Sequence, residues 1–172
     1  MQIIREKRWL YILFFSMLLL ISLTLFIHYS IGSVIVNGKS MENSIHDGDK
    51  FITSQLAYKW NAPHYNDIVI LDASTIPGHE LYIKRVIGLP GDVLVIRNNQ
   101  LYRNKQRIEE PYIKEHMIDT RLSITVPENH LFVMGDNRNH STDSRVFSAI
   151  DMRKDVKAVV LFRIKPFRQD YD

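Results

Sequence analysis

Leu81-Tyr82-Ile83-Lys84-Arg85-Val86-Ile87-Gly88-Leu89-Pro90-Gly91-Asp92 sets β-branched and aromatic residues around two adjacent cations and closes on Pro-Gly-Asp. That is the composition of a strand ending in a turn, not of a helix. Successive strand side chains point to opposite faces, so Lys84 shares a face with Tyr82 and Val86, and Arg85 lies on the other. Whichever face is buried therefore carries a cation. A buried arginine demands an anionic partner, whereas a buried lysine can shed its proton, because desolvation lowers its pKa by several units. A neutral Lys84 is a candidate general base; the alternative is an exposed edge strand with both cations in water.

Outward from this stretch, short β-branched and aromatic runs alternate with turn residues, and no long helical periodicity interrupts them. The strands expected are 34–36, 51–53, 68–71, 81–87, 93–97, 100–103, 124–126, 131–134 and 156–162. Asp47-Gly48-Asp49, Pro77-Gly78 and Pro90-Gly91-Asp92 mark reversals, and Asn98-Asn99 between two strands predicts a hairpin. With no repeat or linker, residues 28–172 form one mainly β domain.

The other end of the chain has a different character. Trp9 to Ile27, WLYILFFSMLLLISLTLFI, runs without charge for 19 residues, close to the roughly 20 a helix needs to cross a bilayer's hydrocarbon core. Ser16, Ser22 and Thr24 can bond back to the helix backbone, and Trp9, Tyr11, His28 and Tyr29 suit the two interfaces. A cleaved signal sequence is disfavoured, because the run exceeds the roughly 7–15 residues of an h-region and no Ala-x-Ala site follows. Arg5, Lys7 and Arg8 precede the run, whereas the next cation is Lys39. The positive-inside bias then makes residues 1–8 cytoplasmic, 9–27 an uncleaved single-pass anchor of the cell membrane, and 28–172 extracytoplasmic.

Composition narrows the chemistry. With 172 residues there is room for one core and one span. A net charge of +3 with interspersed signs argues against a nucleic-acid partner. The absence of cysteine excludes thiolate nucleophiles, and seven dispersed histidines without His-Glu-x-x-His spacing suggest no metal. A nucleophile must then be a hydroxyl, carboxylate or amine.

Two further segments are rich in polar groups. Gly38-Lys39-Ser40-Met41-Glu42-Asn43-Ser44-Ile45-His46-Asp47-Gly48-Asp49 follows the strand at Val34–Val36. A serine beside a glycine at a strand end can present both its hydroxyl and its own N–H to a carbonyl, as acyl transfer requires; alone, it equally reads as a serine capping a polar turn. Gly135-Asp136-Asn137-Arg138-Asn139-His140-Ser141-Thr142-Asp143-Ser144-Arg145 follows the apolar strand 131–134. There Asp143 can pair with Arg85 or Arg145 and tie the loop to the strand of Lys84; a solvated Asn- and Ser-rich turn is the alternative.

In this order, behind an anchor, the segments Ser40-Met41, Asp67-Ile68-Val69, Lys84 to Asp92 and Gly135-Asp136-Asn137-Arg138 with Ser141, Asp143, Ser144 and Arg145 resemble the type I signal peptidase family. The resemblance covers nearly the whole chain. Lys84, where eukaryotic-type members carry His, makes it similar to the bacterial Ser/Lys type, and its length to the compact Gram-positive form. The resemblance implies that Ser40 is the nucleophile, Lys84 the general base and Ser141 a hydroxyl that orients Lys84. It further implies that Asp143, Arg145 and Arg85 form a supporting ion-pair network, with no cofactor. Two positions depart from the family pattern: Asn43 and Ser44 stand where Pro and Thr are usual, and Gly38 where some members place a hydroxyl that assists the oxyanion hole.

The expected activity is serine endopeptidase removal of signal peptides from exported preproteins, beside the secretion translocon and in contact with membrane lipid. The peptide is expected to add as a strand near Ser40 and Lys84, with Val34, Val36, Met41, Ile45, Tyr82 and Ile83 lining pockets for small residues. Soluble self-cleaving repressor-type peptidases also use a Ser/Lys pair, but an anchor instead of a DNA-binding helical pair precedes this one. A non-catalytic homologue that holds signal peptides without cutting them is the alternative.

Overall fold

The computed structural model describes residues 2–72, 81–118 and 120–165. The apolar run, free of Gly and Pro, extends in both directions to form helix α1 (Gln2–Ser30). Ser16 and Thr24 donate to the carbonyls of Leu13 and Leu20, as expected of hydroxyls in an apolar helix. Residues 8–29 are exposed, so the helix leaves the rest of the chain instead of packing on it. The stretch Arg8–Ser30 is long and apolar enough to cross a membrane. The helix passes into strand β1 (Ile31–Ile35) without a loop, and the Gln55 N–H caps the Ser30 carbonyl at 3.0 Å.

The remaining elements are β2 (Lys50–Ser54), the short helix α2 (Ala57–Trp60), β3 (Ile68–Asp72), β4 (Leu81–Gly88), β5 (Val93–Arg97), β6 (Gln100–Arg103), β7 (Gln106–Arg107), β8 (Leu122–Thr125), β9 (His130–Met134), a 3-10 turn (Arg138–His140), α3 (Ser144–Phe147), β10 (Ile150–Asp151) and β11 (Val156–Lys165). They build a seven-stranded sheet in the order β1-β2-β11-β3-β4-β9-β10 and a four-stranded sheet in the order β7-β6-β5-β8. Every pairing is antiparallel. The chain is mainly β behind one N-terminal apolar helix, as the sequence leads one to expect.

Strand alternation buries the large sheet on both sides. Val69 and Leu71 of β3, with Val86, Leu131, Val133 and Val159, form one cluster; Ile70, with Val36, Met41, Ile45, Phe51 and Ile83, forms another. A third cluster, including Ile87, Leu94, Leu101, Met117, Phe132 and Met134, fastens the small sheet to the large one. Asn98 and Asn99 both take left-handed φ (49° and 59°), which a tight β5–β6 hairpin requires.

The strand expectations hold at their centres and move at their ends. β1 begins at Ile31, β8 covers 122–125 instead of 124–126, and β11 extends to Lys165. At Val126 the N–H leaves the ladder for the Asp92 carbonyl, so side-chain alternation continues where strand pairing has stopped. The short β7, β10, α2 and α3 had no sequence signal, being too brief for periodicity to register. Pro77-Gly78 lies outside the described residues.

Gly88 sits where β4 shifts register against β9. A Cβ there would lie 2.7 Å from Leu94 Cδ1, 3.0 Å from Val126 Cγ2 and 3.2 Å from Phe132 Cβ. Gly88→Ala is therefore expected to destabilise the fold by about 1–3 kcal/mol, as overpacking a filled core does. Urea unfolding followed by near-UV dichroism checks this, and an unchanged midpoint would contradict it.

Candidate active site

Past β1 the chain enters a closed loop. The Val36 N–H donates to the Asp49 carbonyl (2.9 Å) and the Gly48 N–H to the Val36 carbonyl (2.8 Å), pinching the loop at its neck. Inside it, Gly38 at φ 116° takes a conformation L side chains avoid, and its N–H donates to Asp47 Oδ1 at 2.7 Å. Met41 and Ile45 anchor the loop in the core, which leaves Ser40 partly exposed between them and the neck. Among the described residues the Ser40 N–H makes no hydrogen bond.

Lys84 approaches from β4. Its side chain is only 1% exposed, and Nζ donates to Ser40 Oγ at 2.9 Å and to the Ile83 carbonyl at 3.1 Å. It shares a face with Tyr82, whose ring centroid lies 5.0 Å from Nζ. Burial lowers the Lys84 pKa to about 8, against the opposing pull of Asp143 and Asp136, with Arg145 adding to the decrease. Above about pH 8 the site thus holds mainly an amine that can accept a proton beside a hydroxyl that can give one.

The loop after β9 braces the pair. The Asn137 N–H donates to the Ser40 carbonyl (3.0 Å) and Asn137 Nδ2 to the Lys39 carbonyl (3.0 Å), so one residue holds two successive peptides of the serine turn. Gly135 lies between Ser40 and Ser141: a Cβ on it would overlap Ser141 Oγ and the Ser40 carbonyl oxygen. Asp143, fully buried, caps α3 through the Arg145 N–H, accepts from the Gly135 N–H (3.0 Å) and is paired with the Arg145 guanidinium at 2.8 Å through each carboxylate oxygen.

Two expectations require correction. Arg85 pairs with Asp136, at 2.8 and 2.6 Å, and not with Asp143. Asp136 is the acid at the β9 exit facing β4, whereas Asp143 is already saturated by Arg145 and Gly135. Ser141 Oγ is buried near the pair but forms no hydrogen bond among the described residues, and the bonds of Lys84 Nζ go to Ser40 and Ile83 instead.

Of the expected pocket residues, Val34, Val36, Tyr82 and Ile83 line a groove of about 370 Å³ together with Ile35, Asn37, Ile70 and Leu81. Met41 and Ile45 do not; they are buried beneath the serine loop in the core cluster of Val36 and Phe51. β9 pairs with β4 only from Arg85 onward, so among the described residues Leu81 to Lys84 have no strand on that side. β1 is likewise an edge strand.

Sequence reading assigned no role to Asn137, Gly135, Asp136, Glu110 or Tyr112. The first three stand within the Gly-Asp-Asn-Arg run, but nothing in a run of polar residues says which carbonyl each will meet. Glu110 holds the buried Arg138 at 2.9 and 2.5 Å, and the Tyr112 ring packs 4.2 Å from the Arg85 guanidinium. Both come from an aperiodic strap after β7 that carries no motif.

Residues 7–164 match the family described as signal peptidase, peptidase S26. The chain is 34% identical over 179 aligned positions to signal peptidase I of Bacillus caldolyticus, covering 96% of this chain and 93% of that one. It is 32% identical over 146 positions to signal peptidase I S of Bacillus subtilis, covering 78% and 77%. A crystal structure of a signal peptidase I from Enterococcus faecalis superposes with a TM-score of 0.51 at 29% identity, covering 59% of this chain and 98% of that one.

Because Gly135 allows the β9 loop to touch both serines, Gly135→Ala is expected to displace Ser40 from Lys84. On the expectation that Ser40 is a nucleophile, its acylation by an activated ester should slow by about tenfold or more, since small misplacements of a reacting group cost rates of that order. Mass spectrometry of the acylated chain measures it; unaltered acylation would mean that this packing does not position the serine.

Proposed function

The chain belongs to the signal peptidase family, peptidase S26, and on that premise we propose that it is a membrane-anchored serine endopeptidase that removes signal peptides with Ser40 as nucleophile and Lys84 as base. The observation that carries this reading is the 2.9 Å contact between Ser40 Oγ and a buried amine whose pKa is drawn down to about 8. The same contact weighs against a homologue that only binds signal peptides.

In the proposed reaction Ser40 Oγ attacks the scissile carbonyl carbon as Lys84 Nζ takes its proton. The oxyanion that forms is stabilised by the Ser40 N–H, because the Gly38 N–H is committed to Asp47. When the C–N bond breaks, Lys84 protonates the leaving amine and is again neutral. It then takes a proton from water, whose oxygen attacks the ester; the ester C–O bond breaks and the proton returns to Ser40. No metal or cofactor takes part.

The preprotein is proposed to enter the groove as an extended strand and pair with the open edges of β1 and of β4 at Leu81–Lys84. Val34, Val36, Tyr82 and Ile83 supply walls for its small side chains. Asp143 with Arg145, and Arg85 with Asp136, support the pair as two separate ion pairs. We place residues 1–8 in the cytoplasm, the anchor across the membrane, and the β domain outside, where a substrate emerging from the secretion translocon meets a tethered enzyme at high effective concentration. Asn43 in place of the usual Pro has no structural consequence that we can derive.

Detergent-purified full-length chain should cleave a model preprotein after a small residue, with the new N-terminus read by mass spectrometry. Ser40→Ala and Lys84→Ala should each lower kcat at least about 10⁴-fold, as loss of one member of a nucleophile–base unit does; comparable turnover by either variant would refute the dyad.

The pH dependence follows from the direction of the Lys84 shift. Only the neutral amine accepts a proton, so kcat/KM should rise about tenfold per pH unit below 8 and level off above it. A profile between pH 6 and 10 that is flat, or falls with rising pH, would exclude Lys84 as the base.

A further inference from the structure

A cavity of about 310 Å³ lies apart from the Ser40/Lys84 pair, and its polar lining is Lys59, Arg153, Lys157, Ser54, Gln55 and Tyr58. Met152, Val156, Ala158 and Val159 are its apolar lining. Among the described residues no carboxylate lines it. Lys157 is occupied by Asp72 at 2.8 Å, and the Tyr58 hydroxyl donates to Asp67. Lys59 and Arg153, both exposed, form no ion pair among the described residues. Two cations without an ion-pair partner among the described residues thus line one concave, partly apolar space.

Its position gives this lining a meaning. Gln55, which lines the cavity, also caps the last carbonyl of α1, and α2, carrying Tyr58 and Lys59, begins two residues later. The cavity therefore adjoins the end of the apolar helix, which projects from the domain with residues 8–29 exposed. If α1 spans the bilayer, the cavity lies beside the end of the span, near the level of the lipid headgroups.

We propose that it seats the phosphate of an anionic phospholipid, with Lys59 and Arg153 as the phosphate ligands and the apolar lining against the glycerol and upper acyl chain. Free inorganic phosphate would satisfy the two cations but would leave that lining without a function. This inference rests on reading α1 as a membrane span. It does not require Ser40 or Lys84 to be catalytic.

Native mass spectrometry of the full chain in detergent, supplied with phosphatidylglycerol or with phosphatidylcholine, tests it. One phosphatidylglycerol should be retained in preference to phosphatidylcholine. Lys59→Gln/Arg153→Gln should lose that lipid by about tenfold or more, given the attraction of each surface cation for anionic lipid. The double change Lys105→Gln/Arg121→Gln, at exposed cations elsewhere, should not. Equal retention of both lipids, or undiminished retention by the Lys59/Arg153 variant, would overturn the proposal. So would displacement of the lipid by inorganic phosphate alone, which would identify the site as one for free phosphate. Preprotein cleavage in detergent separates this idea from the preceding one: a chain that keeps phosphatidylglycerol but cuts nothing sinks the peptidase reading alone.

Discussion

The structure depends on a lysine that is kept out of water. Holding the Lys84 ammonium in a site where its pKa is about 8 costs on the order of 3 kcal/mol whenever it is protonated. The sign is unfavourable to the fold below that pH, and the cost fades as pH rises toward the ordinary lysine range. Two buried carboxylates, Asp136 and Asp143, stand close enough to oppose the shift. Left bare, they would pin the proton on the amine. Each instead carries a two-pronged guanidinium, Arg85 on Asp136 and Arg145 on Asp143. Arg145 thus adds to the lowering of the lysine's pKa, and Arg85 occupies the Asp136 carboxylate that opposes it, although neither bonds to Lys84.

Buried ion pairs of this kind contribute little net stability, since desolvating both partners offsets their attraction. Their value here is positional. Arg138, fully buried, spans from the Gly135 carbonyl to Glu110 on the strap after β7. The same strap sends Lys114 to Glu42 at 2.8 Å, two residues beyond Ser40. The small sheet, joined to the large one through the Leu94, Leu101 and Phe132 cluster, thereby holds the serine loop from behind while Asn137 holds it from the side. A serine on a surface loop would otherwise lose its alignment with Lys84 to thermal motion.

How much of this could be read from the sequence follows from the range of each interaction. The alternation of Lys84 and Arg85, the unbroken apolar run of α1 and the Asn98-Asn99 reversal are local, and the structure keeps them. Pairings between distant segments are not local. Nothing in the order of residues distinguishes Asp136 from Asp143 as the partner of Arg85; that choice is made by the register of β9 against β4, where Met134 faces Arg85. Met41 and Ile45 have the hydrophobicity of pocket residues and of core residues alike, and only the direction in which the loop folds back makes them core. Glu110 and Tyr112 lie in a stretch without periodicity, where sequence offers no account of what a side chain will touch.

One event in the chain links the Ser40/Lys84 pair to the groove. β9 follows β4 from Gly88 to Arg85 and then, at Gly135, turns away. Among the described residues the turn leaves Leu81 to Lys84 without a strand on that side, which opens an edge to which an extended peptide can bond. It also carries Gly135, Asp136 and Asn137 across to the serine loop, where the absence of a side chain at Gly135 lets the backbones approach. Had β9 continued its ladder past Arg85, it would have covered the edge of β4 and taken Asn137 away from Ser40. On the function proposed above, the binding edge and the rigid nucleophile have a single structural origin, and for that reason a Gly-Asp-Asn run has to stand at the end of that strand.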